Sequence, residues 1–374
     1  MPPTQRALGW RLPYCPIAQV MEVRANITRR WLGELPVHIV ACALLALCAA
    51  LLAGKGVALD PAPAFANARL YLLAILAWLA LDAGMHLLRR KPAAPLEALR
   101  ERYAGTAARA RWLAGAPLLA LCVVLMPFFS KMKAAIPLFA DYTWDATFVA
   151  WDRAIFLGYD AWQVMQPVLG YPVITAALAL LYQAWFLLLY VGCLYFAFAD
   201  VGPDVRRRFF LTYVLSWSVI GGGFATLLAS VGPCFVGPLL GDASFDAQMA
   251  YLRAADEQIP VMTLQVQQML LDWHRADADG LGSGITAMPS MHVAIAFLFW
   301  LAVREVSQRG GRWMLTFLAL IWIGSVHLAY HYAVDGLVSI ALIALLWWLS
   351  RKFLAGWDAL LAQAALRTNT VPAE

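Results

Sequence analysis

Apolar residues in this chain gather into runs long enough to cross a bilayer as helices, about 18 or more residues each, divided by polar stretches. The first five run from Val37 to Gly54, Leu70 to Leu88, Trp112 to Phe129, Val173 to Phe198 and Phe209 to Val231. Three more compact runs follow, Met291 to Val303, Trp313 to Ala329 and Gly336 to Leu349. The pattern predicts an all-α polytopic membrane protein of about eight transmembrane helices. The segment before Val37 lacks the apolar core and small-residue cleavage site of a signal peptide, so residues 1–36 are expected to form a polar arm.

Two connections exceed what a turn needs. In the segment Ser130 to Pro172, the residues Trp144, Phe148, Trp151 and Ile155 recur at helical spacing, while Asp141, Asp145 and Asp152 take other faces. That spacing predicts an interfacial helix lying flat on the bilayer. In a second reading Lys131, Lys133, Asp152 or Arg153 borders a site for a polar headgroup. The segment Gly232 to Ala287 is acidic and is expected to form a solvated cap over the spans.

Composition narrows the class. Hydrophobic residues make up 62% and charged residues 14%, where a soluble domain usually carries about 25% charged. The 16 tryptophans suit long membrane–water interfaces. The net charge of +5 is too small to imply nucleic acid as a partner, and its placement is more telling. Three quarters of the Lys and Arg residues fall in the N-terminal arm, around Arg89 to Arg111, Arg206 to Arg208 and Arg304 to Arg312, and in the tail 351–374. The positive-inside rule makes these segments cytoplasmic, which an even number of spans also satisfies. The six cysteines show no disulfide or zinc spacing. Asp82 and His86, four residues apart, are expected to pair with each other.

Candidate chemistry concentrates near the C-terminus. The stretch Gly282-Ser-Gly-Ile-Thr-Ala-Met-Pro-Ser-Met-His292 leads into a span. Its glycines permit close approach to a ligand, Pro289 suits a first helical turn, and the N–H groups at such a helix start commonly hold phosphate. The stretch Gly324-Ser-Val-His-Leu-Ala-Tyr-His331-Tyr-Ala-Val-Asp335 joins the last two spans. His331 and Asp335 share a helical face, so the carboxylate can fix the imidazole tautomer and leave the other nitrogen as a nucleophile. The sixth span runs inward from His292 and the seventh returns outward to His331, which brings both histidines to the outer surface. Two-step phosphoryl transfer then needs no metal or other cofactor: His331 attacks phosphorus, and His292 protonates the leaving oxygen and later activates the acceptor. His327, His331 and Asp335 also form a four-residue stripe that could instead ligate zinc.

Met288-Pro-Ser-Met-His292 and His331-x-x-x-Asp335 resemble the second and third signatures of the type-2 phosphatidic acid phosphatase superfamily, Pro-Ser-Gly-His and Ser-Arg-x5-His-x3-Asp. Met291 stands in place of the glycine, Gly324 and Ser325 in place of the Ser-Arg pair, and no Arg-Pro pair of the first signature occurs. The pattern is similar to the branch of fungal inositol phosphorylceramide synthase and its bacterial relatives, as are Asp145 to Trp162 and Gly232-Pro-Cys-Phe235. The resemblance implies a six-helix catalytic core over 112–350, outer segments 130–172 and 232–287, and two additional helices over 37–111. It implies a lipid phosphotransferase moving a phospho-alcohol headgroup at the outer face of a bacterial inner membrane, or alternatively a phosphatase acting on phosphatidic acid or a polyprenyl (di)phosphate. His292, His331 and Asp335 would be catalytic. Pro289, Ser290, Ser325 and Arg153 would line the substrate, with Lys131, Lys133 or His327 replacing the missing positive charge. Membrane lipids are the expected partners; the oligomeric state stays open.

Overall fold

The computed structural model describes residues 16–369 other than 277 and 279, and every regular element among them is helical. Helix α1 (Pro16–Gly54) and helix α2 (Ala62–Arg90) are followed by a short helix α3 (Pro95–Ala104) and by α4 (Thr106–Ala134). After α5 (Asp145–Ile155) and α6 (Ala161–Leu169) the chain crosses in α7 (Pro172–Phe198) and α8 (Pro203–Leu227). A cap of α9 (Asp246–Asp256) and α10 (Met262–Arg275) precedes α11 (Met291–Val306), α12 (Gln308–His327) and α13 (Ala333–Asn369).

Six helices are long and apolar enough to cross a membrane, namely Val23–Gly54, Ala62–Arg90, Thr106–Ala134, Pro172–Phe198, Pro203–Leu227 and Ala333–Gln363. The protein is an integral multi-pass membrane protein. The predicted sixth and seventh spans, α11 and α12, are compact helices of 16 and 20 residues packed against each other; α11 is largely buried, while α12 exposes Trp313 and Leu315. Val293, Ala294, Ile295, Ala296 and Leu298 of α11 are wholly enclosed, and the two alanines let neighbouring backbones come close.

Several boundaries differ from the periodicity reading. α1 is helical from Pro16 through Pro36 without a break, so most of the expected polar arm continues the first span. The loop around Arg89 to Arg111 contains α3, and α8 ends at Leu227 rather than Val231. The last helix passes residue 350 and includes most of the expected tail. Apolar counting locates the lipid-facing part of a helix but not the polar turns that extend it beyond the bilayer.

The second of the additional helices, α2, is tied to the core by a buried amide, while α1 is held through Arg30, which donates to the Ala197 carbonyl. Asn67 of α2 donates to the carbonyl of Val123 on α4 at 2.8 Å and accepts from Tyr190 Oη of α7 at 2.8 Å. Asp82 does not pair with His86 as its main partner. It takes two 2.7 Å bonds from Arg102 of α3, whose planar fork outcompetes a single imidazole. In α8 the stretch Ser216–Phe224 is wound as a π-helix, and a Cβ on Gly221 would lie 2.4 Å from the Phe129 ring. α8 and α4 therefore touch closely beside Met291, at the depth of the site.

Candidate active site

The turn between α12 and α13 carries the first histidine. The carbonyl of Ser325 accepts from the N–H groups of both Tyr330 and His331, at 3.0 and 3.1 Å, and Ala329 takes a left-handed φ of 61°. His331 thus precedes the helix, while Asp335 sits in its first turn. Their Nδ1···Oδ2 distance is 3.0 Å, and the same Oδ2 accepts from Tyr332 N at 3.2 Å. An acceptor-only carboxylate places the proton on Nδ1, which leaves Nε2 with its lone pair.

Two further carboxylates lock that turn from α5. Asp152 accepts from Ala333 N at 2.8 Å and Val334 N at 2.9 Å, so a residue 181 positions away caps the helix after His331. Burial pushes the Asp152 carboxyl above its ordinary pKa, and the two backbone donors draw it back. Asp145 accepts from Val231 N, from Gly232 N at 2.9 Å and from Tyr332 Oη at 2.8 Å. Burial and the nearby Asp145 push the Tyr332 phenol upward, so it remains a donor.

The second histidine stands on α11. Ser290 caps that helix through Val293 N, and its carbonyl accepts from Ser339 Oγ of α13 at 2.9 Å. His292 in the first turn stacks on Tyr182 of α7, with centroids 4.2 Å apart and planes at 17°. Trp185 donates from Nε1 to the His292 carbonyl at 3.0 Å. Tyr182 stacks in turn on Tyr330 at 5.1 Å. The His292 and His331 ring centroids lie 6.5 Å apart, so the topological expectation that both meet at one end of the bundle holds.

A short strap ties the two motifs together. Ser230 accepts from Ala287 N through its carbonyl at 2.9 Å and from Met288 N through its hydroxyl at 3.2 Å. Four residues on, Cys234 N donates to the Ala329 carbonyl at 2.8 Å. Between them Gly232, at φ 89°, runs so close to the turn that a Cβ would lie 2.6 Å from the Tyr330 carbonyl oxygen. The cap holds the same turn from above: Gln248 donates to the Val326 carbonyl and Gln267 to the Leu328 carbonyl, both at 2.8 Å. The acidic segment 232–287 is therefore more than a solvated cover.

Of the two lysines on α4, Lys133 is the one turned toward His292. Its charge acts on His292 and Cys234. The glycine loop fixes this end of α4, because Gly282 N donates to Ser130 Oγ at 2.8 Å and a Cβ on Gly284 would lie 2.5 Å from Ala134 N. Lys131 instead lines a separate cavity with Asp60, Pro61 and Ser283. Two residues apart on a helix are about 200° apart around it, so the pair cannot share a target.

Other expected positions are corrected likewise. Pro289 precedes the cap Ser290 rather than sitting in the first turn of α11. The Ser325 hydroxyl donates back to the Trp322 carbonyl at 2.7 Å, so the residue shapes the turn through its carbonyl and does not replace an arginine. His327 faces Thr175 Oγ1 at 2.9 Å and Tyr251 instead of His331. The turn after His327 breaks the four-residue stripe, and among the described residues no three His, Cys, Asp or Glu side chains converge as metal ligands. Arg153 is paired with Asp160 at 2.7 Å, 45% exposed, and does not touch the paired histidines. On α5 the exposed Trp151 and Ile155 fit the interfacial reading, whereas Asp145, Phe148 and Asp152 form its buried face.

Sequence reasoning missed Tyr182, Trp185, Ser230 and the backbone-binding roles of Asp145 and Asp152. The only signal was carboxylates among apolar residues at helical spacing, which does not name a partner far away in the chain.

A model of the PAP2 superfamily matches residues 146–349, which takes in α5 after its first residue, the strap, the cap and both histidines. The chain belongs to the PAP2 superfamily. Comparison with curated proteins finds no match, and neither does comparison with solved structures. PAP2-superfamily members are phosphatases or phosphotransferases acting on phosphoesters, and this chain is an enzyme of that kind with membrane lipids as substrates.

Proposed function

We propose that this PAP2-superfamily enzyme is a lipid phosphotransferase that moves a phospho-alcohol headgroup between lipids, through a covalent intermediate on His331. The observation that carries the reading is the pairing of His292 with a carboxylate-held His331, 6.5 Å apart at one end of the bundle. In the first step the Nε2 lone pair attacks phosphorus and the bond to the donor lipid's oxygen breaks. His292 gives its proton to that oxygen. In the second step a lipid hydroxyl attacks the same phosphorus, its proton passes to His292, and the N–P bond returns its electrons to Nε2. Asp335 keeps Nδ1 protonated and pointed away from the reaction throughout. In this scheme Pro289 and Ser290 shape the start of α11 beside the phosphate, and no cofactor takes part.

Two helix N-termini meet here, and they differ in charge. The start of α13 already faces Asp152 and Asp335, which satisfy its positive end. The start of α11 is capped by the neutral Ser290 and lies near Lys133, which makes it the better place for a phosphate. The cavity bounded by His331 and α5 measures about 10 Å³, too small for a phosphoryl group, and in this reading the phosphate comes in from the His292 side.

Transfer is favoured over hydrolysis by the enclosure of the nucleophile under the strap and cap, which limits water around a reactive intermediate. The inositol phosphorylceramide synthase-like pattern of both motifs points the same way. The positive-inside distribution supports a site on the outer face of the membrane with both termini in the cytoplasm, and the family branch it resembles suggests a bacterial inner membrane. The test supplies a donor lipid labelled in phosphorus and headgroup, with and without a hydroxyl-bearing acceptor lipid. Ping-pong kinetics with label recovered in a new lipid is the expected result. Water-soluble phosphate as the main product with every acceptor would assign a phosphatase instead.

A further inference from the structure

A cavity of about 760 Å³ lies between α2, α3, α4 and α7, at the end of the bundle remote from the histidines. Along α4 alone, Trp112 on its wall and Lys133 beside the histidines are separated by roughly 30 Å at 1.5 Å per residue. The cavity is thus on the opposite side of the membrane-spanning region and is no part of the catalytic arrangement. Its size is that of a ligand site.

One part of the wall is apolar and aromatic, with Ile75, Trp78, Trp112 and Phe198. Trp112 packs against Phe198 at 4.6 Å and against Trp78 at 6.1 Å. Tryptophans on spanning helices mark the depth at which lipid chains give way to headgroups. The other part is charged. Asp82 and Arg102 satisfy each other there, and Tyr103 donates to Asp82 at 2.5 Å. Besides Tyr195, four ionisable side chains remain on the wall: Arg111 and His86, and opposite in sign Glu101 and Asp200. Among the described residues none of these four makes a side-chain hydrogen bond or ion pair.

We propose that this cavity binds a zwitterionic phospholipid of the leaflet opposite the catalytic histidines. The phosphate meets Arg111 and His86, the ammonium meets Glu101 and Asp200, and the acyl chains lie along Trp78 and Trp112. A lipid with only negative charge leaves both carboxylates facing a like charge. A soluble zwitterion leaves the aromatic wall in contact with water. The bound lipid joins the peripheral α2 and α3 to the core, where Asn67 supplies the polar link nearer the other end.

The purified full-length protein in detergent, washed free of lipid, is offered equal amounts of phosphatidylethanolamine and phosphatidylglycerol, and bound lipid is counted by native mass spectrometry. The expected result is one retained phosphatidylethanolamine per protein, preferred about tenfold over phosphatidylglycerol. Losing one charge-assisted contact weakens binding about tenfold, so Arg111→Ala and Glu101→Gln, both at exposed positions, should each lower occupancy by that factor. Arg109→Ala, off the wall on the same helix, and His331→Ala should retain the lipid in full. Equal occupancy by both lipids, preference for the anionic one, absence of retained lipid, or unchanged retention in both wall variants overturns the proposal.

Discussion

Asp152 reaches across the fold to cap the helix that follows His331, holding Ala333 N at 2.8 Å with one oxygen and Val334 N at 2.9 Å with the other. The nucleophile's position is therefore set from α5. Asp152→Ala should remove the cap and leave two buried donors unpaired, which costs on the order of 2 kcal/mol in stability. Turnover should fall more than substrate affinity, because the shifted group is His331. A melting curve with separate kcat and KM measurements checks this; a KM-only effect would place Asp152 on the substrate instead.

Gly284 and Gly282 share a positive φ, 89° and 86°, and both touch the end of α4, but only at Gly284 would an added Cβ run into it. Alanine at either position meets the same backbone strain, on the order of 1 kcal/mol. At Gly284 it must also displace Lys133 and Ala134, so activity should drop at least tenfold further than in Gly282→Ala. Equal losses in the two variants would remove the loop from its role in placing Lys133.

The two lysines of α4 should separate cleanly in kinetics. Lys133→Met should raise KM for the phospholipid donor about tenfold or more, as expected for one charge-assisted contact. Lys131→Met, on the wall of a different cavity, should stay within about twofold of the native enzyme. The reverse ranking would move the phosphate to the other face of α4.

Tyr182 holds His292 by stacking, while its hydroxyl is buried without a hydrogen-bond partner among the described residues. Tyr182→Phe keeps the stack, so the fold and the pH profile should not change. KM should rise if the hydroxyl meets the substrate phosphate. Tyr182→Ala should lower kcat by freeing the imidazole. Loss of activity in Phe equal to that in Ala would mean that the hydroxyl, and not the ring, orients the site.

How far the chain reveals itself before its structure depends on the distance over which residues act. The helices follow from apolar runs, and the histidine motifs from their spacing, because both are local patterns. His331 and Asp335 are four residues apart, and their hydrogen bond was readable on that ground. Asp145 and Asp152 looked like the polar face of an amphipathic helix, yet they bond backbone groups 86 to 182 residues away, which no periodicity encodes. Ser325 misleads for a related reason: it occupies the position of an arginine in a motif, but its hydroxyl folds back onto its own helix. Gly232 announces only a flexible point, while its use, a close approach to Tyr330, appears once the turn is built.

The most direct measurement traps the intermediate itself. The enzyme is mixed with a phosphorus-labelled donor lipid without acceptor, quenched in alkali, where an N–P bond survives, and digested for mass spectrometry. The label should sit on His331, form far more slowly in a His292→Ala variant that cannot protonate the leaving oxygen, and move into lipid when acceptor is added to the native enzyme. No label on the protein, or label on His292 with His331→Ala still active, would contradict a covalent route through His331.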